Sequence, residues 1–244
     1  MLQIFKYEIE IEIKSGLYIG SGNNSIQIGG VDNDFIKDNN KLPYIPGSSL
    51  KGKLRSLLEL SLIDSSMMED YRGDIFGPKE YKNSKDNKED ILLLLKMFGT
   101  SASNNVDKES DEYANIDEFG FTRLSVEDFY ISDEDRTKQD IFEIKTEVNI
   151  NRKNGTPISG ARNIERVRKG IKFVGNLSLK LFNDDLKEKE KNTDIENDYI
   201  KLLMKALHYL ELDALGGSTS RGYGRVGIRF VNDTYQKKYE ETQI

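Results

Sequence analysis

Phe5-Lys6-Tyr7-Glu8-Ile9-Glu10-Ile11-Glu12-Ile13-Lys14 alternates without a break between apolar and charged residues. Successive side chains of an extended chain point to opposite faces, so this stretch reads as a half-buried strand. It ends at Ser15-Gly16. Leu17-Tyr18-Ile19 then runs into Gly20-Ser21-Gly22, and residues 26–36 read as a hairpin turning near Gly29-Gly30 or Asp32-Asn33. Leu42-Pro43-Tyr44-Ile45-Pro46-Gly47 is proline-stiffened and extended. Ser48 or Ser49 is expected to cap the next helix, whose Leu50, Leu54, Leu57, Leu58 and Ile63 form one apolar stripe.

Residues 64–118 break this regularity and read as an acidic insertion. Residues 79–90 are polar and charged and are expected to be a loop or partly disordered, and 91–98 a short apolar helix ending at Gly99. Strand character resumes over 119–126. Residues 145–169 are basic, with the turn signal Asn154-Gly155-Thr156-Pro157, and are expected to form a protruding hairpin. Residues 171–181 give another strand. Thr193 and Glu196 have capping-box spacing before a helix carrying Ile200, Leu203, Met204, Leu207 and Leu210, which Gly216-Gly217 is expected to stop. Residues 226–230 form the last strand. The order strand, helix, strand, strand, helix, strand is the split βαβ pattern. The expected class is therefore α+β: a ferredoxin-like (RRM-like) βαββαβ palm in a single domain, 1–244, with the acidic insertion and a basic thumb hairpin.

The chain has 244 residues, no cysteine, one histidine (His208) and a net charge of −6. Disulfides, thiolate metal sites and cysteine nucleophiles are excluded, and His208 lies on an apolar helix where a structural role is expected. No apolar run is long enough to span a bilayer, and Met1-Leu2-Gln3-Ile4-Phe5-Lys6 lacks a signal-peptide pattern, which fits a cytoplasmic location. Basic residues segregate into 41–55, 145–172 and 221–229, and the first and last of these contain no acid. Such segregation suits a localised polyanion site on an acidic protein.

Gly216-Gly217-Ser218-Thr219-Ser220-Arg221-Gly222-Tyr223-Gly224-Arg225 combines close backbone approach with guanidinium forks, a phosphate-facing pattern. A plain helix-to-strand turn explains Gly216 and Gly217 but not the spaced arginines. Gly47-Ser48-Ser49-Leu50-Lys51-Gly52-Lys53-Leu54-Arg55 lacks Walker order, so it reads either as a solvated basic face or as a helix start aimed at a nucleic-acid backbone. Arg162, Arg166 and Arg168 mark the hairpin, with Arg152 nearer its turn. Asp32 and Asp34 are turn-formers by local chemistry. Alternatively, one of them helps a divalent cation or a ribose hydroxyl attack a phosphate.

Ile45-Pro46-Gly47-Ser48-Ser49-Leu50-Lys51-Gly52-Lys53, Phe98-Gly99, Thr146-Glu147-Val148, Ile164-Glu165-Arg166 and residues 212–224 together resemble the RAMP superfamily. More narrowly, they resemble the repeated backbone subunits of type III-A CRISPR (Csm) effectors. The resemblance runs from about Ile9 to Phe230. It implies copies stacked head to tail on a guide RNA, each projecting a thumb through the guide–target duplex. It also implies endonucleolytic cutting of target RNA with Mg2+ or another divalent cation, weakly held. The family's catalytic aspartate sits in a Gly-small-apolar-Asp turn. Here that turn is Gly29-Gly30-Val31-Asp32, so the role falls on Asp32 and not Asp34. RNA contacts would come from Ser48, Ser49, Lys51, Lys53, Arg55, Arg152, Arg162, Arg166, Arg168, Gly217, Ser218, Arg221 and Arg225. Partners would be guide RNA, target RNA, copies of this chain and other Csm subunits, including the large signalling subunit, with no membrane. Tyr18 stands where such proteins often carry a histidine, so imidazole chemistry is lost there. A scaffold without chemistry, the equivalent type III-B subunit, a guide-processing endoribonuclease and an unrelated nucleotide-binding enzyme remain alternatives.

Overall fold

The computed structural model of the chain describes residues 2–22, 33–64, 67, 73, 75–100, 119–158, 160–183, 185 and 195–242. In chain order they form β1 (Gln3–Ile13), β2 (Tyr44–Ile45), α1 (Gly47–Ser61), α2 (Pro78–Asn83), α3 (Lys88–Phe98), β3 (Leu124–Val126) and β4 (Phe129–Ile131). There follow α4 (Asp133–Arg136), β5 (Phe142–Glu147), β6 (Arg162–Val167), β7 (Lys172–Leu181), α5 (Ile195–Leu212), β8 (Val226–Phe230) and α6 (Asp233–Glu241). The fold is mixed α+β with antiparallel sheets.

The alternation of β1 decides the layers. Tyr7, Ile9, Ile11 and Ile13 are all buried, whereas Lys6 and Glu8 are exposed. Burying one such side chain contributes about 1.5–3 kcal/mol, so the period-two pattern sets which face turns inward. β1 pairs antiparallel with β7, Ile11 facing Phe173, and on its other edge with β8, Ile11 facing Ile228. The larger sheet runs β2-β4-β7-β1-β8, and β3 pairs with a separate length of β7. Leu50, Leu54 and Leu58 of α1 and Leu203, Leu207 and Leu210 of α5 are buried in the same core cluster as that face. Tyr235 and Tyr239 of α6 close one end against Tyr7 and Phe230. His208 is structural, stacked on Tyr239 at 4.0 Å with its Nε2 2.8 Å from the Tyr239 carbonyl.

Several expectations are corrected. Neither Ser48 nor Ser49 caps α1. The helix starts at Gly47, whose N–H donates to Asp128 Oδ1 at 2.8 Å, an acceptor 81 residues away. A Cβ at Gly47 would lie 2.4 Å from the Val126 carbonyl, so only glycine lets the helix start on this strand connection. Residues 78–83 are helical instead of a loop: Pro78 opens α2, Glu80 accepts the Gly77 N–H, and Tyr81 packs edge-on against Phe119. Residues 119–123 are not strand, because Arg123 is buried and draws the Phe119 and Phe121 carbonyls onto its guanidinium. Strand β4 and helices α4 and α6 were not anticipated. Helix α5 ends at Leu212, four residues before Gly216. The turn at 26–32 and the Thr193 box lie outside the described residues.

The basic hairpin forms as β5 and β6, a separate two-stranded sheet pairing Phe142 with Val167 and Glu147 with Arg162. It starts three residues earlier than its charge suggests, because Phe142 is held in place by Phe35 and by the Lys37 ammonium over its ring.

One buried ion pair ties the insertion's end to the approach to α5. Arg123 Nη2 lies 3.0 Å from Asp185 Oδ1, and Asp185 also accepts from the Phe182 N–H and the Tyr199 hydroxyl. Removing one partner of a buried pair strands the other charge. Arg123→Met is expected to cost about 3–5 kcal/mol of unfolding free energy in chemical denaturation, well above the change for an exposed pair such as Lys6–Glu127.

Candidate nucleic-acid interface

The chain leaving β1 organises the site. Leu17 and Val167 exchange backbone hydrogen bonds of 3.0 and 2.8 Å, joining this segment to the hairpin. On its other side Gly224 N–H donates to the Gly16 carbonyl and Gly217 N–H to the Tyr18 carbonyl, joining it to the Gly-rich loop. Ile36 N–H donates to the Ile19 carbonyl at 2.9 Å, bringing in the chain that follows Asp32. Three sequence-distant elements thus meet on residues 16–19.

Close packing explains the loop's composition. Gly224 has φ 74°, and a Cβ there would stand 1.9 Å from the Leu215 carbonyl. Tyr223 between these glycines is fully buried. Its ring is covered by the Lys145 ammonium at 4.3 Å and the Arg166 guanidinium at 4.8 Å, one from each strand of the hairpin. Its hydroxyl donates to Glu147 Oε1 at 2.7 Å, and Arg221 holds the other oxygen of Glu147. Burial, reinforced by Glu147, pushes the Tyr223 phenol up to about 12. The bond from Tyr223, helped by the charge of Arg221, holds Glu147 below the usual carboxylate range. The loop is therefore fastened to both strands of the hairpin.

The start of α1 is also built differently from expectation. Arg55 turns inward: it donates to Glu59 Oε1 at 2.6 Å, the Gly99 carbonyl at 3.0 Å and the Phe76 carbonyl at 2.8 Å. Lys51 donates to the Leu124 carbonyl, and burial, then the charges of Arg55 and Lys180, lower its pKa. Lys53 Nζ lies 2.6 Å from Asp213 Oδ2, linking α1 to the approach to the Gly-rich run. Ser48 is exposed and Ser49 partly so.

Of the remaining candidates, Arg166 pairs with Glu143 at 2.6 Å and Arg168 lies 3.5 Å from Asp140. Among the described residues Arg152, Arg162 and Arg225 are exposed and make no ion pair. Arg221 is 60% exposed despite its bond to Glu147. Gly217 and Ser218 are partly exposed, and Gly217 has already given its N–H to Tyr18. The hairpin also displays Val148, Ile150 and Ile158 to solvent.

Asp32 lies outside the described residues. Asn33, which follows it, sits beside β6 in parallel pairing with Ile164. Asp34 is exposed, and burial, then the Asp34 charge, raise the pKa of the Tyr18 phenol. Among the described residues no cluster of three or more His, Asp or Glu side chains is placed to hold a metal. Also among them, no helix is long and apolar enough to cross a membrane.

Sequence reasoning missed the roles of Tyr223, Glu147 and Glu165. Thr146-Glu147-Val148 and Ile164-Glu165-Arg166 stood out only as motifs, because their partners lie up to 130 residues away.

A family profile described as the RAMP superfamily matches residues 10–227. The CRISPR system Cms endoribonuclease Csm3 of Methanocaldococcus jannaschii is 36% identical over 223 residues, covering 91% of this chain and 77% of the relative. Its namesake in Enterococcus italicus is 34% identical over 226 residues, covering 92% and 88%. In fold, the chain is similar to the Methanopyrus kandleri Csm3 crystal structure, with TM-score 0.54 and 22% identity over 94% of this chain and 76% of that one. It is also similar to a chain of the type III-B Cmr-beta complex bound to cognate target RNA, with TM-score 0.54 and 16% identity, covering 93% of this chain but only 59% of that one.

The Tyr223 attachment carries a pH signature. A phenol raised in the folded state stabilises fully below its unfolded value of 10.0, and that stability is lost as pH rises towards about 12. Tyr223→Phe is expected to lower Tm at pH 8 by removing the bond to Glu147. The gap from the unaltered protein should shrink between pH 10 and 12 in thermal melts.

Proposed function

Because the chain belongs to the RAMP superfamily, we propose that it is a type III CRISPR backbone subunit, of the III-A (Csm) kind. It binds guide RNA, stacks head to tail with copies of itself and with other Csm subunits, including the large signalling subunit, and cuts complementary target RNA in the cytoplasm. The observation that carries this reading is the convergence on residues 16–19 of the Gly-rich loop, the basic hairpin and the chain leaving Asp32. The strand order β8-β1-β7-β4, with α1 after β1 and α5 after β7, supports a ferredoxin-like palm within a single domain. Hairpin β5–β6 is its thumb.

In this reading Arg225, Arg221 and Arg162 face the guide backbone, with Arg152 further out along the thumb. Lys53 and Ser48 extend the surface, while Lys51 and Arg55 brace α1 from within. The apolar Val148, Ile150 and Ile158 of the thumb unstack a target nucleotide and bring its 2′-oxygen in line with the scissile phosphorus. Asp32 takes the 2′-hydroxyl proton as the oxygen attacks phosphorus. The 5′-oxygen leaves and takes a proton from water, giving a 2′,3′-cyclic phosphate and a 5′-hydroxyl. A carboxylate such as that of Asp32 suits Mg2+, which keeps several waters and needs no closed protein cage. Bound there, it would neutralise charge developing on the phosphate. Tyr18 lines this region as a hydrogen-bonding phenol and not as an acid–base group.

Asp32→Ala in the assembled, guide-loaded complex is expected to reduce target cleavage by about 100-fold or more while target binding persists. Unchanged cutting would sink the catalytic assignment, leaving a pure scaffold. Arg225→Ala and Arg162→Ala are each expected to weaken guide binding and lower the slope of log affinity against log salt by about 1.

A further inference from the structure

Beyond the candidate interface the chain turns back on itself and builds a small cavity. Residues 35–37 belong to the interface: Ile36 N–H donates to the Ile19 carbonyl, and Glu165 of the hairpin accepts the Phe35 N–H at 3.1 Å and the Lys37 ammonium at 2.9 Å. Lys37 then bridges to Pro43, and Asp38 N–H donates to the Leu42 carbonyl at 2.9 Å. Asp38 Oδ1 accepts the Asn40 N–H at 2.8 Å and the Leu42 N–H at 2.9 Å, and these bonds hold Lys41 at φ 63°. A turn with so many internal bonds is formed before any ligand arrives.

This turn closes on strand β4. The cavity between them measures about 310 Å³, with apolar walls that include Leu42, Pro43 and Tyr130 and polar groups from Asp38, Asn40 and Arg136. Tyr130 is 48% exposed although it lies in the middle of a strand. Its ring lies 5.9 Å from that of Tyr44, its direct partner in β2, with 23° between the planes. Ser132 N–H, just beyond β4, donates to the Lys172 carbonyl, and Ile13 N–H, at the end of β1, donates to the Ile171 carbonyl, both at 2.9 Å. The cavity therefore sits at the end of the sheet from which residues 16–19 depart, the end that also carries the Gly-rich loop and the hairpin.

We propose that this cavity is a nucleobase subsite, in which an unpaired base of the bound RNA stacks on Tyr130. The inference rests on the RNA-binding reading above. Every base has a π-face, so a tyrosine steadied by a neighbouring ring takes any of them. The Asn40 amide offers both donor and acceptor to a base edge, and the Asp38 carboxylate a further acceptor. The surroundings select a base over a phosphate. Arg136 Nη2 already lies 3.5 Å from Asp133 Oδ1, and Glu134 is exposed beside it, so the rim repels an anion as much as it attracts one. The phosphates are left to the exposed arginines of the interface.

The test measures binding of a labelled single-stranded RNA to the purified full chain by anisotropy across a salt series, with photo-crosslinking of the same RNA carrying 4-thiouridine. Tyr130→Ala, and Tyr130→Leu, which keeps bulk without an aromatic face, are each expected to weaken binding about 5-fold or more. The slope of log affinity against log salt stays unchanged, because stacking releases no counterions. Tyr130→Phe keeps the ring and is expected to restore affinity to within about twofold, and the crosslink is expected to map to residues 124–136. Unchanged affinity in the Ala and Leu variants would overturn the proposal. So would a loss that Phe does not restore, a fall in the salt slope, a crosslink confined to other peptides, or failure of both variants to fold. Arg225→Ala separates the two readings. If it weakens binding while the Tyr130 variants do not, only the subsite falls; if the unaltered chain binds no RNA, the RNA-binding reading falls with it.

Discussion

The short segment after β1 has backbone groups committed on both sides, and the functional surface depends on that commitment. Lys14 N–H and Ser15 N–H go to the Arg225 carbonyl, Leu17 is paired with Val167, and the Gly16 and Tyr18 carbonyls take N–H groups from the Gly-rich loop. A segment bonded in this way cannot shift without breaking contacts to two other elements. The central strand, buried through Tyr7, Ile9, Ile11 and Ile13, anchors it to the core. Packing of β1 is thereby transmitted to a loop and a hairpin that have little core of their own.

Charge on this protein divides between bracing and presenting. Arg55, Arg123 and Arg166 spend their guanidinium groups on carbonyls and carboxylates inside the fold, and Lys145 and Arg166 also lie over the ring of a buried tyrosine. Arg152, Arg162 and Arg225 remain outward. Apart from Arg123, both groups occur in basic stretches of similar appearance. What separates them is whether a carbonyl or carboxylate from another element lies within reach, which local sequence does not encode. Glu147 and Glu165 are the counterpart. They are acids within a basic hairpin, each neutralised by an arginine or lysine on the element that the hairpin must hold.

Much of the scaffold was legible. The alternation of β1 and β7, the leucine stripes of α1 and α5, the short helix before Gly99 and the hairpin all follow from local periodicity and turn chemistry. Two of the differences have a common cause in long-range contacts. Helix α1 starts at Gly47 because Asp128 reaches it across the fold, and α2 forms where polar composition suggested a loop because Tyr81 finds Phe119. Helix α6 differs: its signal is local, the Asn232 side chain capping it by accepting from the Thr234 and Tyr235 N–H groups.

The sequence by itself determined the buried face of each long strand and helix, the presence of a basic hairpin and a Gly-rich loop, and the motifs that mark the superfamily. These depend on side-chain period and on residues few positions apart. Tertiary structure alone decided that Tyr223 locks the loop beneath the hairpin, that Arg55 faces inward while Arg225 faces out, and that Glu165 holds the chain beyond Asp32. Each of those outcomes depends on whether a residue tens to hundreds of positions away comes within contact, which is decided only when the fold brings their backbones together.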